Sequence, residues 1–213
     1  MATKTPDDRQ ARIAKMQAAQ RSAERRRSLL VIGAAALVSV LLIGVVVAVI
    51  VQSQAQRSEI ERAAAEDIEG VEEYPDQTRD HVQTPVDYEV VPPVGGNHTP
   101  FWQNCGFYDA PVQTEPGVHA LEHGAVWVTY DPSLPEEQVT TLQDLAERNP
   151  YLLVSPWQDG ELPGAVTASA WGYQLVLDSA DDERLEVFLA KYLQGEQTPE
   201  PGAACSGGTD ATV

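Results

Sequence analysis

Leu29 to Val51 reads LLVIGAAALVSVLLIGVVVAVIV, an apolar run with no charge and Ser39 as its only hydroxyl. At 1.5 Å per residue, about 20 residues of helix span a hydrocarbon core of roughly 30 Å. Inside a bilayer the backbone has no water to bond, and a helix is the single-chain structure that satisfies every amide internally. The run is therefore expected to be a transmembrane helix, which Gly33 and Gly44 weaken little in lipid.

The flanks give the direction. Before the run stand eight bases (Lys4, Arg9, Arg12, Lys15, Arg21, Arg25, Arg26 and Arg27) and three acids (Asp7, Asp8 and Glu24). After it stand six bases and 29 acids, so most of the overall charge of −18 lies on that side. Bases next to a span stay inside, so the expected topology is single-pass in the cell membrane, with a cytoplasmic N-terminus and an extracytoplasmic C-terminal domain. A cleaved secretory signal is the competing reading. Its apolar region has about 7–15 residues behind a short leader, whereas this run and this leader are both longer. Ser53-Gln54-Ala55 is a weak cleavage site, and an uncleaved signal-anchor is the expectation. Under either reading the remainder is exported.

The exported part has the length of one domain. Its acidity argues against nucleic acid, which requires a basic surface, and suits cations or basic partners. The two cysteines, Cys105 and Cys205, both follow the span. In an oxidising compartment they are expected to pair.

Five regions follow from composition: a basic N-terminus (1–28), the span (29–51), a helical stalk or linker (52–73), a globular domain (74–195) and a flexible tail (196–213). In the stalk, Ile60, Ala64, Ile68 and Val71 are spaced as one helical stripe. Such a stripe also suits stalk pairing in a homodimer. Tyr74 to Gly124 is rich in Pro, Gly and aromatics, holds all four histidines, and shows one short strand pattern at Tyr88–Val91. Irregular chain of that length in a compact domain commonly carries function.

Regular patterning begins at Ala125. Val126–Tyr130 reads as a strand. Pro135–Arg148 reads as a helix, with Glu136 and Glu137 at its positive end and Val139, Leu142 and Leu145 on one face. Tyr151–Val154 is a second strand, and Val166–Leu177 a third, interrupted at Gly172. Asp181–Leu193 is a second helix with Leu185, Phe188, Leu189 and Tyr192 inward. The fold class is α+β: a transmembrane helix and stalk, then a small β-α-β-β-α sandwich preceded by the irregular histidine-bearing segment. The order resembles the C-terminal half of a thioredoxin-like fold, with no redox implication because no Cys-x-x-Cys occurs.

His119-Ala120-Leu121-Glu122-His123 is the sharpest motif. On a helix, His119 and His123 stand one turn apart on one face, where two imidazoles reach one metal ion. Neutral imidazole suits zinc and copper. His98 or His81 would supply a third nitrogen, and Glu122 a further ligand. The string also fits the His-x-x-Glu-His pattern of inverted zinc metalloproteases, but Gly124 and a strand follow at once and leave little room for their motif helix. A blue-copper centre at Cys105 would usually add an axial Met, and Met1 and Met16 both precede the span. The bland reading is that the histidines hold a turn beside the sheet. Phe101, Trp102, Phe107 and Tyr108 read as cover for the sheet, as do Trp127, Trp157 and Trp171.

His81-Val82, Tyr88, Pro92-Pro93-x-x-Gly96-x-His98, Gly106-x-Tyr108 and His119-x-Leu121-Glu122-His123-Gly124, followed by a strand ending in Tyr130, resemble a bacterial membrane-anchored family, domain of unknown function 3105. The resemblance covers about Tyr74 to Leu193. Val94-Gly95 stand where the family loop has Thr-Ser, so no role for that serine transfers. All four histidines fall on family histidines. The resemblance implies an exported domain behind one span and no established reaction. The expected function is metal binding, copper or zinc, through His98, His119 and His123 with Glu122 and His81. The alternatives are a metal-free interaction module facing an envelope protein and a zinc hydrolase using Glu122 as base.

Overall fold

The computed structural model describes residues 6–213, without the side chains of residues 6–8 and 34–35. Lys4, in the basic N-terminal segment, lies outside the described residues. The chain divides into two compact units, 1–56 and 57–213.

The first unit is helical. Helix α1 runs from Pro6 to Ala64, and its large apolar side chains between Leu29 and Val51 are all exposed. Among the described residues, this helix is long and apolar enough to cross a membrane. Through the stalk it continues only to Ala64, not to Glu73.

The second unit contains β1 (Val71–Glu73), β2 (Gly106–Phe107), α2 (Thr114–Glu122), β3 (Val126–Tyr130), α3 (Glu136–Arg148), β4 (Leu152–Pro156), β5 (Val166–Ala170), β6 (Tyr173–Leu177) and α4 (Glu183–Tyr192). The strands form one mixed sheet in the order β1-β6-β5-β3-β4-β2. β2, β4 and β3 run parallel, while β5 pairs antiparallel with both β3 and β6. The α+β expectation holds, with helices packed on a sheet.

Alternation along the strands sorts the two faces. Val126, Val128, Leu152, Val154, Ala168 and Leu175 join Leu142, Leu145, Leu185 and Phe188 in one core under α3 and α4. Trp127 and Leu153 face the other way, onto Val118 and Leu121 of α2, with Trp157, Trp171 and Cys205 in the same cluster. This second face is partly polar: Trp127 donates its indole N–H to Ser155 Oγ (3.0 Å), and Gln174 bridges Ser169 Oγ and the Pro92 carbonyl. Both faces of the central strands are therefore buried, one by helices and one by α2 with irregular chain.

Three local expectations are corrected. Tyr88–Val91 forms no strand. Pro85, Pro92 and Pro93 supply no ladder N–H, and Tyr88 donates its hydroxyl to the Asn97 carbonyl at 2.8 Å, which folds the loop on itself. The helix ends at Ala64, and after the turn at Gly70 (φ +84°) residues 71–73 add β1 to β6; Ile68 and Val71 pack on the domain core. The segment after Gly195, expected to be a flexible tail, lies on the domain, with bridges Gln103–Thr209 and Val112–Thr212. The Cys105–Cys205 disulfide (Cα–Cα 5.4 Å) ties it there. The interruption foreseen at Gly172 is the turn of the β5–β6 hairpin, where φ is +75°.

Candidate metal centre

Short-range rules place the site residues on two supports. Helix α2 carries His119 and Glu122 and ends where Gly124 adopts φ +91°, which leaves His123 as the C-cap. A Cβ on Gly124 would also meet Thr198 Oγ1 at 2.9 Å, so glycine serves both the turn and the tail that packs on it. The second support is the Pro92–His98 loop. The Gly172 N–H bonds to the Val94 carbonyl (2.7 Å), and His98 pairs with His81 through Val82 N–H to the His98 carbonyl (2.7 Å) and His98 N–H to the Asp80 carbonyl (3.1 Å). Gly96 (φ +113°) turns the chain against the Tyr88 ring, where a Cβ would stand 3.2 Å from it.

These supports bring four residues together. One ligand atom each from His81, His98, His119 and Glu122 lies within 4.8 Å of all the others. His98, His119 and Glu122 are buried, and His81 is 46% exposed at the side chain. Ligands of one tetrahedral ion stand about 3.4 Å apart for bonds of about 2.1 Å, against the 4.8 Å within which these four atoms lie. His123, placed in the primary ligand set by sequence, falls outside this group. Its Nε2 faces His119 Nε2 at 3.0 Å instead.

Backbone carbonyls assign the imidazole tautomers. His98 Nδ1 lies 2.8 Å from the Gly96 carbonyl, His119 Nδ1 2.6 Å from that of Thr99, and His123 Nδ1 2.8 Å from that of Ala204. A carbonyl only accepts, so each Nδ1 carries a proton, and in its neutral form each ring presents an Nε2 lone pair. His98 Nε2 then points at the Glu122 carboxylate (3.0 Å), with His81 Nε2 3.8 Å from the same oxygen. A proton or a metal cation between the two atoms satisfies such a contact. Burial drives the His119 pKa down to about 4; the Thr99 carbonyl opposes this and the other three histidines add to it. His119 is thus neutral at pH 7 and ready to ligate.

Aromatic rings line the site. Trp102 lies 4.9 Å from the His123 ring and 5.8 Å from that of His119, and Trp171 meets His98 edge-on at 6.0 Å. Trp102 and Trp171 therefore border the histidines, and Trp171 also packs in the cluster on the sheet. One further residue escaped the sequence reading. Glu200, in the tail, places its carboxylate 3.6 Å from His123 Nε2 and donates its backbone N–H to the Glu122 carbonyl at 3.1 Å. The pairing of Cys205 with Cys105 was the signal that this stretch returns to the domain. The two cysteines are joined in a disulfide, so Cys105 is no copper ligand of the blue-copper kind.

A family model described as Protein of unknown function (DUF3105) matches residues 81–207, more than half of the chain, and the chain belongs to that family. The match extends beyond Leu193 and takes in Glu200 and Cys205. No curated protein and no solved structure matches the chain.

Proposed function

We propose that this member of the DUF3105 family is a membrane-tethered extracytoplasmic domain that binds a transition metal, copper or zinc, through His81, His98, His119 and Glu122. The observation that carries the reading is the approach of buried His98 Nε2 to the buried Glu122 carboxylate, with its Nδ1 committed to a carbonyl and two further imidazoles beside it. A proton would relieve that contact, but two further imidazoles within 4.8 Å suit a metal better. Imidazole with one carboxylate is a borderline donor set, appropriate to zinc and copper. The basic flank before the apolar run supports placing the domain outside the membrane.

A hydrolase using Glu122 as base draws little support from the geometry. The Glu122 carboxylate sits among the ligand atoms, and α2 ends at that residue. The deciding experiment is calorimetric titration of the full chain in detergent with Cu²⁺ and Zn²⁺, wild type beside His98→Gln and His119→Gln. Each variant is expected to lose tenfold or more in affinity, an order of magnitude typical of metal-site changes. Undiminished binding in both, with native circular dichroism, overturns the reading and favours the metal-free interaction module.

A further inference from the structure

His119 and His123 are one helical turn apart, and each ring has its Nδ1 on a backbone carbonyl. Their Nε2 atoms nevertheless face each other at 3.0 Å. This is a second close approach of a ring nitrogen to a ligating atom, separate from the one at His98 and Glu122. The Glu200 carboxylate, half exposed, also lies 3.6 Å from this His123 Nε2. His119, His123 and Glu200 thus make an outer set of two nitrogens and one oxygen that shares His119 with the inner set.

Resting on the metal-binding reading above, we infer that the domain holds one transition-metal ion in two alternative positions, an outer one at His119, His123 and Glu200 and an inner one at His81, His98, His119 and Glu122. The reason is stoichiometric. With its Nδ1 held by Thr99, His119 has a single ligating lone pair, so it serves one ion at a time. An ion arriving at the exposed Glu200 carboxylate passes to His123 and His119, then exchanges its outer ligands for His98, Glu122 and His81. No bond other than coordination changes, and the oxidation state of the ion is constant. The outer carboxylate and imidazole give a stepwise route into a largely buried site, and the reverse route out. The cargo is a labile borderline cation, and the activity is uptake and hand-over.

The two outer ligands lie on different supports. His123 caps α2, whereas Glu200 belongs to the segment that the disulfide returns to the site. The Glu200 side chain can therefore be changed with its backbone bond to Glu122, and the helix that carries His119 and Glu122, left in place.

The test is stopped-flow mixing of the full chain in detergent with Cu²⁺, followed by release to excess EDTA, with the bound stoichiometry measured in parallel. Wild type is expected to bind one ion per chain. Glu200→Gln and His123→Gln are expected to slow both uptake and release about tenfold or more while the equilibrium affinity changes less than about threefold. His98→Gln should do the opposite, lowering affinity and sparing the fast phase. Two ions bound per wild-type chain, or unchanged rates in both outer variants, overturns the two-position scheme and leaves the metal-binding reading intact. A wild-type chain that takes up no ion overturns both.

Discussion

Gly117 of α2 lies so close to Trp127 of β3 that a Cβ at Gly117 would stand 2.6 Å from a ring carbon. Trp127 is fully buried and bonded to Ser155, so the ring has no room to yield. Gly117→Ala is expected to destabilise the domain by about 1–3 kcal/mol as overpacking, although alanine is the better helix former by about 1 kcal/mol. Because α2 also carries His119 and Glu122, metal affinity should fall with it. Urea unfolding with a Trp127→Leu partner checks the cause: the double variant should recover part of the loss.

The disulfide closes a separation of 100 residues. Chain-entropy reasoning gives an upper value of about 4.7 kcal/mol for such a loop, and about 2–4 kcal/mol is typical. Replacing both cysteines with serine should lower the unfolding free energy within that range. Thiol labelling of oxidised, denatured protein should find neither cysteine free.

The His119 imidazole responds to acid. Its ordinary pKa of 6.5 is lowered to about 4 in the fold, so between those values the unfolded chain takes up a proton that the folded chain refuses. The contribution of His119 is therefore fully present above about pH 6.5 and is lost as pH falls through about 4. In EDTA-treated protein, the difference in stability between wild type and His119→Gln should shift against wild type across that window. A difference independent of pH would contradict it.

Asp182 caps α4. Its carboxylate accepts the Arg184 backbone N–H at 2.9 Å and pairs with the Arg184 guanidinium, and these bonds lower its pKa. Asp182→Ala should cost about 1 kcal/mol, chiefly through the cap. Asp182→Asn should cost only a fraction of that, because the cap survives and a surface ion pair contributes little. Thermal melts of the two variants separate the contributions.

Where the chain has periodic patterning, the structure could be read from it. Val126–Tyr130 and the helices ending at Arg148 and Tyr192 stand close to where alternation and three-to-four spacing put them, because the apolar face of each helix meets the sheet core. The irregular half was legible only as chemistry. The histidines pointed to one another, but no local rule tells that the Pro92–His98 loop hangs from the Gly172 turn, or that β1 leaves the helical stripe to pair with β6. The i,i+4 spacing of His119 and His123 does bring their Nε2 atoms together, but His123 stays outside the group around His98 and has Glu200 beside it. Glu200 was hidden by a composition that reads as disorder, while a covalent link 100 residues long overrode it.

The sheet is trimmed at both margins. β1 covers three of the five residues of β6, and β2 contributes only two beside β4. Short terminal strands leave few open amides for a neighbouring molecule to zip onto. At both margins the ladder open to another strand is short, which disfavours edge-to-edge association of the sheet.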